Sequence, residues 1–419
     1  GVLAPASCSP SPVCGLRAIT SGGACADSSV MSSVAKDLEL LKGVYDANVD
    51  LVKAALEAGA SVNGFPQTSL ITTAAVAGDA GMVGFLLKRG ADPNGTTKIK
   101  LPCAVSGEDA APGERALHIA ARSGNVEVVR LLLKKGRADP NATDYKRRTP
   151  LLVAAKSRHA RVEVVRLLLE AGTDLTLADD DGHIPLHYVA LEGRLDLLDI
   201  VYDDSREEKP SSASSFMLNQ CTTTGETPLF MACAGGSAGM VSRLLSLGAV
   251  QGATPNERRM CPLMVAARRG FVDVVRVLIN EGGLGKAFGD EKAVVHALEI
   301  CIRFRYPRIL RLLLDVEGEA GRAKWANTNF IGRQPLHDGT GYCNAAAVSM
   351  LLGAGADETA LDMEGLTPAE GIGLNGQLLT THLGLPYPMD QGQKAAIQRM
   401  LLRCPAYRAR SWAWPCDAD

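Results

Sequence analysis

The chain has 419 residues, and its 44 Lys and Arg residues nearly balance its 46 Asp and Glu residues, which leaves a formal net charge of −2 at pH 7. This balance argues against a dedicated binder of nucleic acid or anionic membranes, because such proteins carry a basic stripe. Eleven cysteines are scattered without a CxxC pair. That pattern favours reduced thiols in a cytoplasmic or nuclear protein over a disulfide framework or a zinc ribbon. No apolar run approaches about 18 residues, so we expect no membrane span.

The first segment, residues 1–33, is rich in Ser, Pro, Gly and Ala. We expect a disordered leader there, because too little apolar surface is available to offset the entropy of ordering. The segment lacks the basic start and the compact apolar stretch of a secretory signal. The first residue is Gly and not Met, which is consistent with a fragment or a processed form.

An internal repeat organises the remaining chain. The eight residues VEVVRLLL occur at 126–133 and again, 36 positions later, at 162–169. Related pairs of short amphipathic helical patterns recur from about residue 35 to residue 380, with inserted segments near 95–113 and 203–220. Self-similarity at this spacing predicts a stack of small units that pack on their neighbours, and not a domain with one central core.

The unit at 149–175 indicates how one repeat folds. Thr149 is predicted to cap a short first helix that begins at Pro150, where the missing N–H does no harm. The Val and Leu residues within 164–168 are predicted to be the buried face of a second helix. Gly172 is expected to supply the left-handed turn that ends this helix. Since no unit can bury both helices by itself, each unit needs a neighbour.

Similar first-helix motifs recur along the chain, namely TPLLVAA at 149–155, IPLHYVA at 184–190, TPLFMAC at 227–233, CPLMVAA at 261–267 and QPLH at 334–337. They resemble the ankyrin repeat family, whose unit of about 33 residues is marked by T-P-L-H-x-A. The resemblance implies an all-α ankyrin-repeat solenoid of about nine helix-turn-helix units with β-hairpin-like finger turns. The first unit lacks this motif, the eighth has VVHA in its place, and the last has no clear second helix.

The repeat array is therefore assigned to residues 34–380. Residues 381–419 are predicted to hold a capping helix at 392–403 and a tail in which Trp412 and Trp414 stand beside arginines. Aromatic and Arg residues are enriched at binding hot spots. The tail is thus interpreted either as an apolar cap on the array or as a docking peptide.

Proteins of the family that the chain resembles generally bind other proteins through their finger turns and the exposed side of their first helices. By repeat register, the candidate partner-binding residues in the fingers are Tyr145, Lys146, Arg147, Asp180, His183, Arg258, Arg259, Phe330 and Arg333, with Trp412 and Trp414 in the tail. The simpler interpretation of any single one is an ordinary solvated residue. The resemblance favours a non-enzymatic scaffold or adaptor, a monomer with a protein partner. The alternative is a substrate-recognition or targeting subunit of a ubiquitin ligase or kinase assembly.

Two glycine-containing patterns suggest chemistry but fit the repeat better. Gly235, Ser237 and Gly239 form the GxSxG of a hydrolase nucleophile, which needs a sharp strand-to-helix turn, a His and an acid. Here the pattern falls between the two helices of a repeat. The GxGxxG at 371–376 lacks the preceding strand of a dinucleotide site. We therefore expect no catalytic residue, no metal and no cofactor.

Three further residue sets follow the repeat. His118, His187, His296 and His337 occur at the H of the signature, where the resemblance implies a hydrogen bond between neighbouring turns and not a metal site. Asn63, Asn94 and Asn141 fall in finger turns, where their side chains can bond to the backbone. Basic runs at 146–148, 258–259 and 268–269 are predicted to be exposed, as a solvated face or a surface for an acidic partner.

Overall fold

The computed structural model describes residues 36, 39–63, 68–98, 112–202, 217–250, 260–282, 291–329, 332–372 and 391–402. Within these ranges the chain folds into short helices joined by turns, and no extended strand occurs. The expected all-α architecture is confirmed. No helix in the described ranges combines the length and the apolar character needed to cross a bilayer. The chain divides into two compact units, residues 1–185 (unit 1) and 186–419 (unit 2).

The helices of unit 1 come in pairs. A helical segment at 39–45 precedes α1 (Val49–Glu57), α2 (Leu70–Ala77), α3 (Ala80–Lys88), α4 (Ala116–Ser123), α5 (Val126–Lys134), α6 (Pro150–Lys156) and α7 (Val162–Glu170). First helices α2, α4 and α6 pack in one layer, and second helices α3, α5 and α7 pack in another. This is the helix-turn-helix stacking that the repeat predicts.

Unit 2 begins within α8 (Pro185–Glu192) and continues the pairing. It holds α9 (Leu195–Val201), α10 (Pro228–Gly235), α11 (Ala238–Ser246), α12 (Pro262–Arg269), α13 (Val272–Gly282), α14 (Glu291–Arg303), α15 (Pro307–Leu314), α16 (Gly318–Asn327), α17 (Pro335–Gly341), α18 (Ala345–Gly353) and α19 (Gln391–Leu402). First helices α10, α12, α14 and α17 pack in sequence, as do second helices α11, α13, α15 and α18. Part of the expected nine-unit series, such as 373–380, lies outside the described residues.

The first helices begin at caps that the sequence encodes. The hydroxyl of Thr149 accepts a hydrogen bond from the Leu152 amide at 3.3 Å, and Pro150 is the first helical residue. Thr227 caps α10 in the same way, with 3.2 Å to the Phe230 amide. A cap of this kind stabilises a helix by about 1 kcal/mol. The predicted helix start at Thr149 is confirmed.

The twin stretches are buried second helices. Their core residues have no exposed surface, namely Val128, Val129, Leu132, Val164, Val165 and Leu168, and Leu167 is 9% exposed. Gly172 follows with a φ of 84°, a left-handed conformation that glycine adopts without a Cβ clash. The predicted burial of α7 and its glycine turn are both confirmed.

The insertion after the second repeat leaves a finger hairpin. Thr96 and Arg115 form an isolated antiparallel bridge. Beside it, the Thr97 amide donates to the Glu114 carbonyl at 3.0 Å and the Gly113 amide donates to the Thr97 carbonyl at 2.6 Å. The two ends of the insertion are therefore paired, as in a β-hairpin-like finger.

The eighth repeat is shifted from its expected register. The left-handed residue that follows a first helix lies six positions after the signature His at Gly124, Gly193 and Cys343. In the eighth repeat this residue is Arg305, with a φ of 59°. Glu299 therefore holds the signature position, and the assignment of His296 to it is wrong by about one helical turn. The sequence misleads here because α14, with 13 residues, extends beyond the usual first helix.

Two of the longer helices in the described ranges, α16 and α19, lie outside the two-helix repeat. The sequence did not predict α16, which packs against α15 and α17 and buries Trp325, whose exposed fraction is 2%. The last helix, α19, packs against α18 and buries Ile397 completely. The side chain of Gln393 in α19 accepts a hydrogen bond from the Ala345 amide at 3.2 Å. Both helices cover apolar surface that neighbouring repeats would otherwise leave exposed.

Candidate functional site: the finger turns

Four of the finger turns that the structure describes are each built around one buried side chain. In the finger at 144–148, Asp144 is 7% exposed, and one of its carboxylate oxygens accepts hydrogen bonds from the amides of Lys146 and Arg148 at 2.9 and 2.8 Å. The Arg147 amide donates to the Asp144 carbonyl at 3.1 Å. These bonds satisfy the backbone of the turn internally, so the side chains at its tip are free to project.

The same construction recurs in three other described fingers. Asp179 accepts from the amides of Asp181 and His183, and Asp362 accepts from those of Glu364 and Leu366, at distances of 2.8–3.1 Å. In the finger at 222–226, the Thr222 hydroxyl accepts from the Glu226 amide at 3.0 Å. The backbone of the fingers is thus alike, and their differences reside in the tip side chains.

The tip at 145–147 is the most exposed of the predicted partner-binding groups that the structure describes. Tyr145 is 66% exposed, and Lys146 and Arg147 are also exposed. Arg147 has a φ of 56°, in the left-handed region that side chains with a Cβ rarely adopt. At the equivalent turn position, five other described fingers have glycine, namely Gly113, Gly182, Gly225, Gly332 and Gly365. Arg147 is therefore held in a conformation for which these five fingers use glycine.

The structure places His183 and Arg333 beneath finger tips. His183 Nδ1 lies 3.3 Å from the Asp179 carboxylate, and Arg333 Nε lies 3.4 Å from the Asp362 carboxylate. Both side chains are part-buried, with exposed fractions of 15% and 30%. Each positions a turn-forming Asp and leaves less surface for a partner than Tyr145 does.

The remaining predicted residues divide by location. Asp180 is exposed, and its amide donates to the Lys146 carbonyl at 3.2 Å, which joins two neighbouring fingers. The residues of the prediction that lie outside the described ranges are Arg258, Arg259, Phe330, Trp412 and Trp414. Among the predicted partner-binding residues that the structure describes, those at 145–147 are therefore the chief candidates.

A buried ionic network supports this tip, and sequence reasoning did not find it. Glu114 is fully buried and pairs through both carboxylate oxygens with Arg122, at 2.8 and 2.9 Å. Arg148 bridges Glu114 at 3.4 Å and Asp144 at 2.6 Å. The prediction that all of 146–148 is exposed is wrong for Arg148, whose side chain is 16% exposed. Breaking such a buried pair leaves an uncompensated charge, so loss of either partner should destabilise the finger.

The signature histidines link neighbouring turns. His118 has no exposed surface; its Nδ1 accepts from the Arg115 amide at 3.3 Å, and its Nε2 lies 2.9 Å from the Arg148 carbonyl. Burial lowers the pKa of His118 to about 4, which keeps the ring neutral with Nε2 as the donor. His337 makes the same bonds to the Gln334 amide and to two carbonyls at 3.2 Å. The predicted structural role of these two residues is confirmed.

Asparagines connect successive fingers on the same side. Asn63 accepts from the Asp92 amide at 2.9 Å and donates to the Gly90 carbonyl at 3.0 Å. Asn141 makes the equivalent bonds two repeats later, and Asn327 does so in unit 2. Both side-chain groups of these residues are therefore used within the fold.

Two other side-chain groups invite a chemical interpretation. Ligand atoms of Asp179, Asp181 and His183 lie within 4.8 Å of one another, but the Asp179 oxygen is already engaged by the two turn amides. Ser237, the centre of the GxSxG pattern, caps α11 by accepting from the Met240 amide at 3.3 Å. Helix capping therefore accounts for the serine, as its position between two helices predicts.

Comparison with known proteins identifies the repeat. A family model of ankyrin repeats in three copies matches residues 40–144, 97–179, 117–213 and 186–288. Together these matches run from 40 to 288, more than half of the chain. They include the finger at 144–148 and the helices on either side of it.

Several curated proteins share these repeats. Ankyrin repeat protein nuc-2 of Neurospora crassa is 25% identical over 281 residues, which are 67% of this chain and 24% of that protein. The B-cell lymphoma 3 protein homolog of Mus musculus is 31% identical over 160 residues, 38% of this chain and 35% of the relative. Probable E3 ubiquitin-protein ligase XBOS32 of Oryza sativa subsp. japonica is 35% identical over 153 residues, 32% of this chain and 30% of the relative. The chain therefore spans about a third or less of each of these relatives.

Proposed function

Because the chain belongs to the ankyrin repeat family, whose repeats mediate binding between proteins, we propose that it is a non-enzymatic interaction scaffold or adaptor that holds its protein partner on the finger turns. The finger at 144–148 is the principal contact. Tyr145 supplies a large exposed ring, and Lys146 and Arg147 supply positive charge beside it. Tyr and Arg are the residue types most enriched at the energetic centres of protein interfaces.

The strained conformation of Arg147 carries this proposal. A left-handed residue with a side chain is less stable than glycine by about 1 kcal/mol, and five other described fingers avoid this strain. Backbone strain of this kind clusters at functional sites, where a side chain is needed despite its conformational disadvantage. The next residue, Arg148, belongs to the buried network below the turn.

Arg147→Gly separates binding from folding. The substitution removes the side chain and relieves the strained φ, so we expect unchanged or higher stability together with loss of the partner. The full chain and its variants are compared by affinity purification and quantitative mass spectrometry, with urea denaturation of each. Tyr145→Ala should weaken recovery of the same partner.

Met363→Ala is the matched control, because Met363 occupies the same tip position as Tyr145 and is 74% exposed. Recovery of the partner should survive this change. If every specific partner is retained at full yield by both Arg147→Gly and Tyr145→Ala, the finger at 144–148 is not the binding surface.

The similarity to a ubiquitin-protein ligase favours a second candidate function, that of a targeting subunit in a ligase assembly. In this alternative, the tail with Trp412 and Trp414 docks the catalytic partner. Recovery of ligase or kinase subunits by the full chain, and their loss when both tryptophans are replaced by Ala, would support it. Unchanged recovery with the altered tail would exclude that role for the tail.

A further inference from the structure

A groove lies against the second helices α13 and α15 of unit 2. Its volume is about 620 Å³, within the range of ligand-binding sites. It is lined by Gly236, Gly270, Phe271, Val272, Asp273, Val274, Arg276, Arg308, Arg311, Leu312 and Asp315. The lining thus combines apolar side chains with three arginines and two aspartates.

The positively charged side chains of the groove outnumber the negatively charged ones. Arg276 lies 3.5 Å from Asp273 in the same helix, and Arg311 lies 3.9 Å from Asp315. Asp315 is also held by Arg322 from α16. Arg308 makes no ion pair with any residue in the described part of the chain. The groove therefore carries excess positive charge.

Unit 1 shows how the same helix positions are normally neutralised. Aligning VEVVRLLL of α7 with PRILRLLL of α15 places Glu163 at the position of Arg308. In unit 1, Glu163 pairs across the helix layer with Arg130 of α5 at 3.2 Å. The residue of α13 equivalent to Arg130 is Arg276. An attractive Arg–Glu pair in unit 1 thus corresponds to two arginines lining one groove in unit 2.

This reversal is unfavourable for the isolated fold. Like charges on neighbouring helices repel, whereas the pair in unit 1 attracts. An anionic occupant would relieve the repulsion and would gain charge-assisted hydrogen bonds from guanidinium groups. The lining also includes Phe271, Val272 and Leu312, whose apolar surface can contact the short side chains of a peptide.

We propose that this groove binds an acidic segment of a partner protein. Nucleic acid is disfavoured as the ligand, because the balanced charge of the chain does not indicate the extended basic stripe that binding a polyanionic backbone requires. The site is separate from the finger at 144–148 and stands whether or not that finger is the principal contact. It gives the protein a second binding surface, on second helices.

The test measures binding of a short fluorescein-labelled peptide in which Glu alternates with Ala, using fluorescence anisotropy on the full chain at low and physiological salt. Wild type should bind, and added salt should weaken the complex. Arg308→Glu, which restores the charge found at Glu163 in unit 1, should weaken binding by about tenfold or more. The same substitution should raise the urea midpoint, so weaker binding will not reflect unfolding.

Arg166→Glu is the matched control. Arg166 is exposed and occupies the same repeat position as Arg276. Its replacement by Glu changes the net charge by the same amount as Arg308→Glu does. It should leave the peptide affinity unchanged, as should Arg147→Gly in the finger. The assignment is overturned if wild type does not bind the peptide, if both charge reversals weaken binding equally, or if an oligonucleotide binds the groove and the peptide does not.

Discussion

The second-helix pairs α5/α7 in unit 1 and α13/α15 in unit 2 share an apolar face and differ in charge. In both pairs the Val, Ile and Leu residues of the inner face are buried. On the outer face, Arg130 faces Glu163 in unit 1, whereas Arg276 and Arg308 line one groove in unit 2. Packing and surface charge therefore vary independently in this fold, so a repeat can acquire a binding surface without altering its core.

The largest effect is expected from changes to the apolar face that both helix pairs share. Leu168 in α7 and Leu313 in α15 occupy the same repeat position, and neither has exposed surface. Replacing either with Ala should lower the free energy of unfolding by about 2–5 kcal/mol, because each leaves a cavity. Urea denaturation followed by circular dichroism measures the loss.

The two leucine variants also test how stability is distributed. Since contacts in repeat proteins are between neighbours, each lesion should lower hydrogen-exchange protection first in its own unit. A single cooperative transition, with equal loss of protection throughout the chain for both variants, would contradict this.

The second prediction concerns opposite pH responses in the two units. Burial lowers the pKa of His118 in unit 1 from 6.5 to about 4. The neutral ring therefore stabilises unit 1 above pH 6.5, and on the order of 3 kcal/mol is lost as the pH falls toward 4. Burial, together with the nearby Glu299 carboxylate, raises the pKa of Asp338 in unit 2 from 3.8 to about 7. The protonated acid stabilises unit 2 at low pH, and this contribution is lost as the pH rises toward 7.

Hydrogen exchange of α4 and α17 between pH 4 and 7, corrected for intrinsic rates, measures these responses. Protection of α4 should fall with acidification, and His118→Gln should flatten that slope. Asp338→Asn should reduce the loss of protection in α17 that we expect as the pH rises. Slopes that the two substitutions leave unaltered would show that other groups control the acid response.

The smallest effect is expected from reversing the charge at Glu163 or at Arg308. Glu163→Arg should destabilise unit 1, and Arg308→Glu should stabilise unit 2, each by about 0.2–1 kcal/mol, because the pairs are partly exposed. High salt should shrink both effects. Chemical denaturation at two salt concentrations measures them, and equal changes of the same sign would mean that the surroundings and not the facing arginines dominate.

Much of the fold could be read from periodicity. The twin VEVVRLLL stretches and the Thr-Pro starts predict helix pairs, caps and buried faces, because these features depend on residues close together in sequence. The structural roles of His118 and His337 followed from their place in the signature. The eighth repeat was misread because its long first helix carries a histidine one turn before the signature position, which Glu299 occupies.

The repeat class, the helix pairs and the location of the fingers thus follow from the amino-acid sequence. Which charged residues are available to a partner depends on how the repeats pack. Arg148 belongs to an exposed-looking basic run, yet Glu114, 34 positions away, draws it into a buried network. In the sequence, Arg308 resembles any surface arginine. The packing of α15 against α13 brings it into the same groove as Arg276. The physical reason is that electrostatic partners come from neighbouring repeats, about one repeat length away along the chain, and local patterns do not record them.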